Sequence, residues 1–361
     1  MKKIKIIELF GGIGSATEAL KRLGVNVKVV DYVEIDKFAV KSYNAINSEK
    51  FEPQDITKWD KDLKCDLIMH GSPCQDFSVA GLNKGGDENS GTRSSLLYES
   101  IRIIAKVKPK YVIWENVKNV LSAKHKPNFD KYIQKMSDLG YENYYQVLNA
   151  KDYETPQNRE RVFCVSILKS ENKGFKFPSK KPLKTAYKDL LENSPDDKYF
   201  LSDDLAMYFI QHEVEQQKKG NGFKFEVSNN AKIAKAITTN AGNRPHDNFI
   251  GDKQNLKNAY LRNFGAMGGL FKGDTTPTLT RAMGSGGGNT PLVKKDFKIR
   301  KLTPRECWRL MGFSDVSFDK ARAVNSDTQL YKQAGNSIAV NVLMAILDNL
   351  LFKEFKKDRL F

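Results

Sequence analysis

Apolar residues in the first 168 positions follow two different spacings. Short runs rich in Val, Ile and Leu, typical of strands, are separated by stretches with helical periodicity. This alternation predicts an α/β fold in which crossover helices connect the strands of a mostly parallel sheet. The predicted strands cover residues 4–9, 27–34, 66–71, 111–115 and 162–167, and the predicted helices cover 15–23, 37–46, 96–107 and 128–139.

The pattern changes near residue 170. Lys, Asn and Gly become frequent, prolines interrupt the chain, and residues 284–291 read GSGGGNTP, so a smaller, loop-rich domain is predicted over residues 170–296. Regular structure resumes after residue 300, where Thr303 can cap a helix that starts at Pro304. A last helix is predicted from about residue 337 to 355.

The composition of the 361 residues narrows the class of partner. A formal net charge of +16 favours a polyanion such as nucleic acid, although dispersed lysines can also form a merely solubilising surface. The four cysteines form no CxxC pair and there are only four histidines, so no structural metal is expected. The amino-terminal apolar run leads into glycines, and no apolar run reaches 18 residues, which predicts a cytoplasmic protein without a membrane partner.

A glycine-rich turn with the sequence FGGIG follows the first strand at residues 10–14. Glycines at this point let the backbone approach a ligand closely, and Glu34 at the end of the second strand can accept hydrogen bonds from ribose hydroxyls. Asp55, expected after a further, third strand, could accept a proton of an adenine amino group. The alternatives are an ordinary turn with two surface acids, and NAD binding. NAD is disfavoured because Thr17 occupies the third glycine position and no residues for hydride transfer follow.

A cysteine follows the next predicted strand, in the sequence GSPCQDFS at residues 71–78. Pro73 narrows the conformations of its neighbours, and the carboxyl edge of a parallel sheet is where ligands bind. A thiolate at Cys74 would suit addition to an electron-poor ring carbon. An inert cysteine is the alternative.

Further polar residues are predicted at the same edge of the sheet. Glu115 ends another strand, and Gln157, Arg159 and Arg161 recur at a spacing of two, which places them on one strand face. One acid and two guanidinium groups near a thiol could bind the Watson–Crick edge of a pyrimidine. A lattice of surface ion pairs is the alternative.

In combination, these motifs resemble the C5-cytosine-specific DNA methyltransferases of bacterial or phage type. FGGIG, SPCQDFS, ENV and QNRER are followed in order by RKLTPRECWRLMGF at 300–313 and AGNSIAV at 334–340. The resemblance implies a Rossmann-like fold whose mostly parallel sheet has seven strands, the last of them antiparallel, and an activity that depends on S-adenosyl-L-methionine. It also implies that residues 1–168 and the return segment 300–361 form one catalytic domain, and that residues 170–296 form a target recognition domain.

The resemblance assigns roles to individual residues. Cys74 would be the nucleophile, Glu115 would act on ring N3, Arg161 would donate to O2, and Arg159 would assist or hold phosphate. The implied cofactor-binding residues are Phe10, Gly12, Gly14, Glu34, Ile35, Asp55, Ile56, Leu96, Asn336 and Ser337. Two departures from the family pattern are Glu8, where Asp is frequent, and Ile35, where an aromatic residue often stacks on adenine.

The implied activity is methyl transfer to carbon 5 of a cytosine that is flipped out of double-stranded DNA, through a covalent bond between Cys74 and C6. The protein would act as a monomer in restriction-modification or phage protection, with a cognate restriction endonuclease as a possible partner. Candidates for groove contacts are Arg244, Arg262, Arg281 and the polar residues around the glycine run 286–288; a solvated basic loop face is the alternative for each. The related transfer RNA enzymes carry a Cys-Phe-Thr tripeptide that this sequence lacks, and an inactive DNA-binding relative would not need Cys74, Glu115 and Arg161.

Overall fold

A computed structural model describes most of the chain. The described residues are 3–73, 96–221, 224–227, 231–239, 241–242, 244, 247–251 and 299–352. The predicted nucleophile Cys74 lies outside them, as do Arg262, Arg281 and the glycine run 286–288.

A six-stranded sheet forms the centre of the described catalytic region. Its strands are β1 (Ile4–Leu9), β2 (Val27–Val33), β3 (Leu67–His70), β4 (Tyr111–Val117), β5 (Tyr141–Asn149) and β7 (Glu160–Leu168). They lie in the order β2-β1-β3-β4-β7-β5. The first four strands pair in parallel, whereas β7 is antiparallel to both β4 and β5. The mostly parallel sheet is thereby confirmed, and the described residues contribute six strands where the resemblance implies seven.

Nine helices are described along with the strands. They are α1 (Ser15–Arg22), α2 (Lys37–Asn47), α3 (Leu97–Val107), α4 (Lys126–Asp138), α5 (Asp203–Lys218), α6 (Pro304–Leu310), α7 (Asp315–Arg322), α8 (Asp327–Asn336) and α9 (Val340–Leu351). The helices predicted before residue 140 are all present to within a few residues. The last predicted helix begins later than expected, because residues 337–339 leave helical geometry between α8 and α9.

The structure corrects one predicted strand and adds another. No further strand lies between β2 and Asp55; the Asp55 side chain instead caps a short 3₁₀ helix, Ile56–Lys58, so that β3 is the third strand of the chain. The unpredicted strand is β5, which lies at the edge of the sheet beside β7.

The core lies between the sheet and its helices. All four residues of β3 are buried, and the apolar face of α3 packs with β4 and α4 in one hydrophobic cluster. Trp114, Phe129 and Tyr132 are among the largest fully buried side chains in it. Burying such rings dominates the stability of a core of this kind.

The chain divides into two compact units. The first contains Met1–Leu190, Lys232–Thr239 and Pro304–Phe361, and the second contains Leu191–Ala231 and Asn240–Thr303. Residues 169–190 belong to the first unit, since Lys181 N donates to the Asp152 carbonyl at 2.8 Å and the Tyr153 hydroxyl donates to the Pro178 carbonyl at 3.0 Å. The second unit therefore begins later than residue 170.

Two short strand pairs lie outside the main sheet. In the first unit, β6 (Gln157–Asn158) pairs in parallel with β8 (Ala234–Lys235). In the second unit, β9 (Phe249–Ile250) pairs antiparallel with β10 (Arg300–Lys301). The core of this unit is a cluster of aromatic rings around Phe209, Phe225 and Phe249.

Within the described residues, one stretch is long and apolar enough to cross a membrane by composition alone. It spans Asp327–Leu351, which contains both α8 and α9, and half of its most apolar window is buried inside the structure. Core helices of soluble proteins meet the same criterion.

Candidate active site

Two of the three glycines in the turn after β1, Gly12 and Gly14, are needed for different structural reasons. Gly14 (φ 84°) caps α1, and a Cβ added there would lie 2.7 Å from a ring carbon of Tyr43, so packing requires glycine. A Cβ added at Gly12 (φ 53°) would meet nothing within 4 Å. Phe10 also has a positive φ, of 52°. The turn at Gly12 thus opens onto space that a ligand can approach.

An open cleft adjoins this turn. One wall comes from the β1 end and the glycine turn, and the other comes from the residues that follow α8. Its lining residues are Glu8, Leu9, Phe10, Gly11, Gly12, Ile13, Ser15, Ala16, Met69, Gly71, Asn336, Ser337 and Ile338. The fold therefore brings Phe10 and Gly12 together with Asn336 and Ser337 from the far end of the chain.

Glu34, at the end of β2, is fixed by the backbone on both carboxylate oxygens. Gly12 N donates to Oε2 at 3.1 Å and Asp36 N donates to Oε1 at 2.9 Å. Burial raises the pKa of the Glu34 carboxyl, and these backbone donors partly oppose that effect. Each carboxylate oxygen can accept a second hydrogen bond, so a pair of hydroxyl groups can be held here.

Asp55 lies close to Glu34 along the backbone, because Gln54 N donates to the Glu34 carbonyl at 2.8 Å. Its Oδ1 accepts hydrogen bonds from the backbone and the hydroxyl of Thr57, which lower the pKa of the Asp55 carboxyl. An ionised carboxylate at this position can accept a hydrogen bond from an amino group.

The apolar residues predicted to contact the cofactor differ in exposure. Ile35 exposes 70% of its surface, although it is a large aliphatic residue, whereas Ile56 is buried. Leu96 is partly buried and directly precedes α3. Arg102 of α3 donates to the Ile56 carbonyl at 3.0 Å, which connects α3 to the short 3₁₀ helix.

Glu115 and Arg161 form an ion pair beside the cleft. The distance from Arg161 Nε to Glu115 Oε1 is 3.3 Å. Burial raises the pKa of the Glu115 carboxyl, against the opposing charges of Arg161 and Arg159. A Cβ added to Gly71, which lines the cleft, would lie 3.8 Å from Glu115 Oε2. The carboxyl group of Glu115 is therefore next to the chain that leads through Pro73 to Cys74.

The backbone before Cys74 is held by two residues that sequence reasoning missed. Trp114 Nε1 donates to Ser72 Oγ at 3.1 Å, and Asn116 Nδ2 donates to the Ser72 carbonyl at 3.2 Å. Trp114 and Asn116 flank Glu115 in β4, and side chains alternate between the two faces of a strand. The one sequence feature that pointed to a functional role for Asn116 was its place in the ENV motif.

The residues of QNRER do not share one regular strand face, because the strand is interrupted at Arg159 between β6 and β7. Gln157 Nε2 donates to the Leu310 carbonyl at 2.7 Å, and Gln157 Oε1 accepts from Ile237 N at 3.1 Å. Arg159 donates to backbone carbonyls, and Arg161 forms an ion pair with Glu115.

The described cysteines do not provide an alternative nucleophile. Burial raises the pKa of Cys65 and of Cys164 to about 12, and Cys307 is fully buried in α6. Such thiols are hardly ionised at neutral pH. Within the residues that the structure describes, no group of three or more His, Cys, Asp or Glu side chains could hold a metal ion.

Comparisons with known proteins agree with one another. A family profile of C-5 cytosine-specific DNA methylases matches residues 4–351. Over 81% of its length, the chain is 40% identical to the type II methyltransferase M2.ScrFI of Lactococcus lactis subsp. cremoris, of which 67% is covered. It is 30% identical to the orphan methyltransferase M.SPRI of Bacillus phage SPR, with 99% of this chain and 100% of that protein covered. The solved structure of S. pombe Dnmt2 methyltransferase superimposes with a TM-score of 0.65 at 20% identity, over 98% of this chain and 99% of the other.

Proposed function

This chain belongs to the C-5 cytosine-specific DNA methylases and is a DNA cytosine-5-methyltransferase, and we propose that it methylates a flipped cytosine in double-stranded DNA through a covalent bond from Cys74. The observation that carries this proposal is the position of Glu115. Its buried carboxyl group adjoins Gly71 of the cleft, three residues before Cys74, and pairs with Arg161.

The residues around the cleft fit S-adenosyl-L-methionine. Gly12 leaves open space where any other residue would place a Cβ, and Glu34 keeps accepting capacity on both oxygens. Glu34 would bind the ribose hydroxyls, Asp55 the adenine amino group and the exposed Ile35 one adenine face. The remainder of the cofactor would be surrounded by Phe10, Gly12, Asn336 and Ser337. When bound, S-adenosyl-L-methionine supplies the methyl group.

The chemistry of the protein side chains follows from their environments. The Cys74 thiolate would add to C6 of the cytosine, while Glu115 gives a proton to N3 and Arg161 donates to O2. The raised pKa of Glu115 keeps more of this carboxyl protonated near neutral pH than an exposed glutamate. The added thiolate makes C5 nucleophilic. After methylation, C5 loses its proton to water, the C6–S bond breaks to restore the thiolate, and N3 returns its proton to Glu115.

The relatives suggest the biological setting. Type II methyltransferases and orphan phage methyltransferases both occur among them. We therefore propose a role in restriction-modification or phage protection, in the cytoplasm, as a monomer on double-stranded DNA. A cognate restriction endonuclease is the corresponding partner in the first case.

The test is methyl transfer from labelled S-adenosyl-L-methionine to double-stranded DNA, followed by bisulfite sequencing of the product. We expect 5-methylcytosine in one sequence context. Cys74→Ser should abolish transfer, because a serine hydroxyl is far less nucleophilic than a thiolate. Cys65→Ser is the matched control and should retain activity, since Cys65 is a half-buried thiol with no place in the cleft.

The covalent step can be tested separately with DNA that carries 5-fluorocytosine at the target. Fluorine at C5 cannot leave as a proton, so the C6–S bond should persist and appear as a protein–DNA adduct by mass spectrometry. The adduct should form with Cys65→Ser and not with Cys74→Ser. Methylation of transfer RNA in place of DNA, or full turnover by Cys74→Ser, would contradict the proposal.

A further inference from the structure

Arg159 is almost fully buried, with 4% of its surface exposed, and its guanidinium group contacts three separate backbone carbonyls. Nη1 donates to the Ile237 carbonyl at 3.1 Å. Nη2 donates to the Gly335 carbonyl at 3.1 Å and to the Ser337 carbonyl at 2.9 Å. The two terminal nitrogens of Arg159 therefore connect three chain segments that are distant in sequence.

Two of these carbonyls belong to the turn that lines the cofactor cleft. Gly335 and Ser337 flank Asn336 at the end of α8, and both Asn336 and Ser337 line the cleft. The last carbonyls of a helix lack partners within the helix, and a cationic side chain can satisfy them. Arg159 thus determines the path of the backbone that carries two predicted cofactor-binding residues.

The third carbonyl belongs to the segment Lys232–Thr239, which packs against the same turn. A Cβ added to Gly335 would lie 2.4 Å from Thr239 N and 2.6 Å from the Thr238 carbonyl oxygen. Only glycine permits so close an approach of two backbones. The turn is therefore held by Arg159 and confined by this segment.

We propose that Arg159 is a positioning residue for the cofactor cleft and does not bind the cytosine or a DNA phosphate. A planar guanidinium group can bond several acceptors at once, whereas a lysine ammonium is a single point charge. The proposal rests on the proposed function, because it assumes that this cleft binds S-adenosyl-L-methionine. It differs from the role that the family resemblance implied for Arg159, which was to assist Arg161 or hold phosphate.

The test is the affinity for S-adenosyl-L-methionine without DNA, measured by calorimetry on the full chain. Arg159→Lys keeps the positive charge but cannot span the three carbonyls, so the dissociation constant should rise about tenfold or more, as the loss of charge-assisted hydrogen bonds predicts. DNA affinity measured without cofactor should stay unchanged.

One control variant separates this effect from general damage. Arg309→Lys removes another arginine of the first unit that donates to a backbone carbonyl, that of Leu190, but lies outside the cleft lining. It should bind S-adenosyl-L-methionine like the unmodified protein, and thermal unfolding shows whether each variant folds.

Should Arg159→Lys not fold, Gly335→Ala tests the same turn and should also raise the cofactor dissociation constant. The inference is overturned if a folded Arg159→Lys variant binds the cofactor normally and loses DNA affinity. If Arg159→Lys does not fold, the inference is overturned when a folded Gly335→Ala variant binds the cofactor normally. Absence of cofactor binding by the unmodified protein would instead refute the proposed function.

Discussion

Glu34, which directly follows β2, and Glu115 of β4 have different partners and therefore different chemistry. Both oxygens of Glu34 accept hydrogen bonds from backbone N–H groups, which favour the ionised carboxylate. Burial raises the pKa of both carboxyl groups, against the backbone donors at Glu34 and against the charges of Arg161 and Arg159 at Glu115. The two fixed oxygens of Glu34 suit it to accept hydrogen bonds from a ligand, whereas the place of Glu115 beside the chain that leads to Cys74 suits it to exchange a proton.

For Glu34, we expect replacement by alanine to weaken cofactor binding. Glu34→Ala should raise the dissociation constant for S-adenosyl-L-methionine by about tenfold or more, which corresponds to ~1.4 kcal/mol for a lost charge-assisted contact. Calorimetry without DNA measures this directly. Glu171→Ala removes a partly exposed glutamate of the first unit that pairs with Lys110, and serves as the matched control. If both variants bind S-adenosyl-L-methionine with equal affinity, Glu34 does not contact the cofactor.

Sequence reasoning was most informative at residues whose role is set by their position after a strand. Glu34 and Glu115 were expected at strand ends; Glu34 directly follows β2, whereas β4 continues beyond Glu115 to Val117. The contacts of Arg159 could not be predicted, because all three of its carbonyl partners come from segments about 80 to 180 residues further along the chain. The binding of Ser72 by Trp114 and Asn116 was equally hidden, because it depends on the pairing of β3 with β4.

At the scale of elements, the strength of the apolar pattern decided which strands were predicted. The strands β1, β3, β4 and β7 consist largely of buried apolar residues, which is typical of strands covered on both faces. The missed strand, β5, has the sequence YENYYQVLN and is mostly half-buried or exposed. An edge strand of this composition has little apolar signal. The strand expected before Asp55 was wrong because the chain there connects α2 to β3 through a 3₁₀ helix.

A buried carboxyl group links the first elements of the fold and makes their stability depend on pH. Glu8 of β1 accepts hydrogen bonds from Thr17 of α1 and, at 3.1 Å, from Tyr43 of α2. Burial raises the pKa of Glu8 from 4.5 to about 7. Between these two pH values the folded state holds a proton that the unfolded state has released, so the free energy of unfolding must fall as the pH rises.

We therefore expect Glu8→Gln to become more stable than the unmodified protein as the pH increases. The variant keeps an acceptor oxygen for Thr17 and Tyr43 but cannot ionise. Its advantage should grow by roughly 3 kcal/mol between pH 4.5 and pH 7.5, given about 1.4 kcal/mol for each pH unit over which Glu8 stays protonated only in the folded state. Urea unfolding at several pH values measures this difference. A difference that stays constant with pH would show that Glu8 has an ordinary pKa.

At the scale of the whole molecule, the second unit is inserted into the first. The chain leaves the first unit at Leu190, returns for Lys232–Thr239, leaves again, and finally returns at Pro304. The change of composition near residue 170 and the regular pattern after residue 300 predicted an insertion. The brief return could not be predicted, because it depends on a two-residue pairing between β6 and β8 and on the hydrogen bonds of Ile237 with Gln157 and Arg159.

This division locates the residues that we expect to choose the DNA sequence. We propose that they lie in the second unit, because the cleft, Glu115 and Arg161 all belong to the first. Base-edge contacts by arginine give the strongest discrimination, and Arg244 is the described candidate of this unit. The assignment of the second unit to target recognition remains a prediction that an exchange of segments can test.

A chimera that replaces Leu191–Ala231 and Asn240–Thr303 with the corresponding segments of a relative of different specificity should methylate the relative's sequence. It should keep Lys232–Thr239 of this chain, because that segment packs against Gly335 beside the cofactor cleft. A second chimera that exchanges only Lys232–Thr239 should leave the methylated sequence unchanged, and any loss should appear in cofactor affinity. Bisulfite sequencing of DNA from cells that express each chimera gives the modified site. If the first chimera binds S-adenosyl-L-methionine and still methylates the original sequence, target choice lies in the first unit.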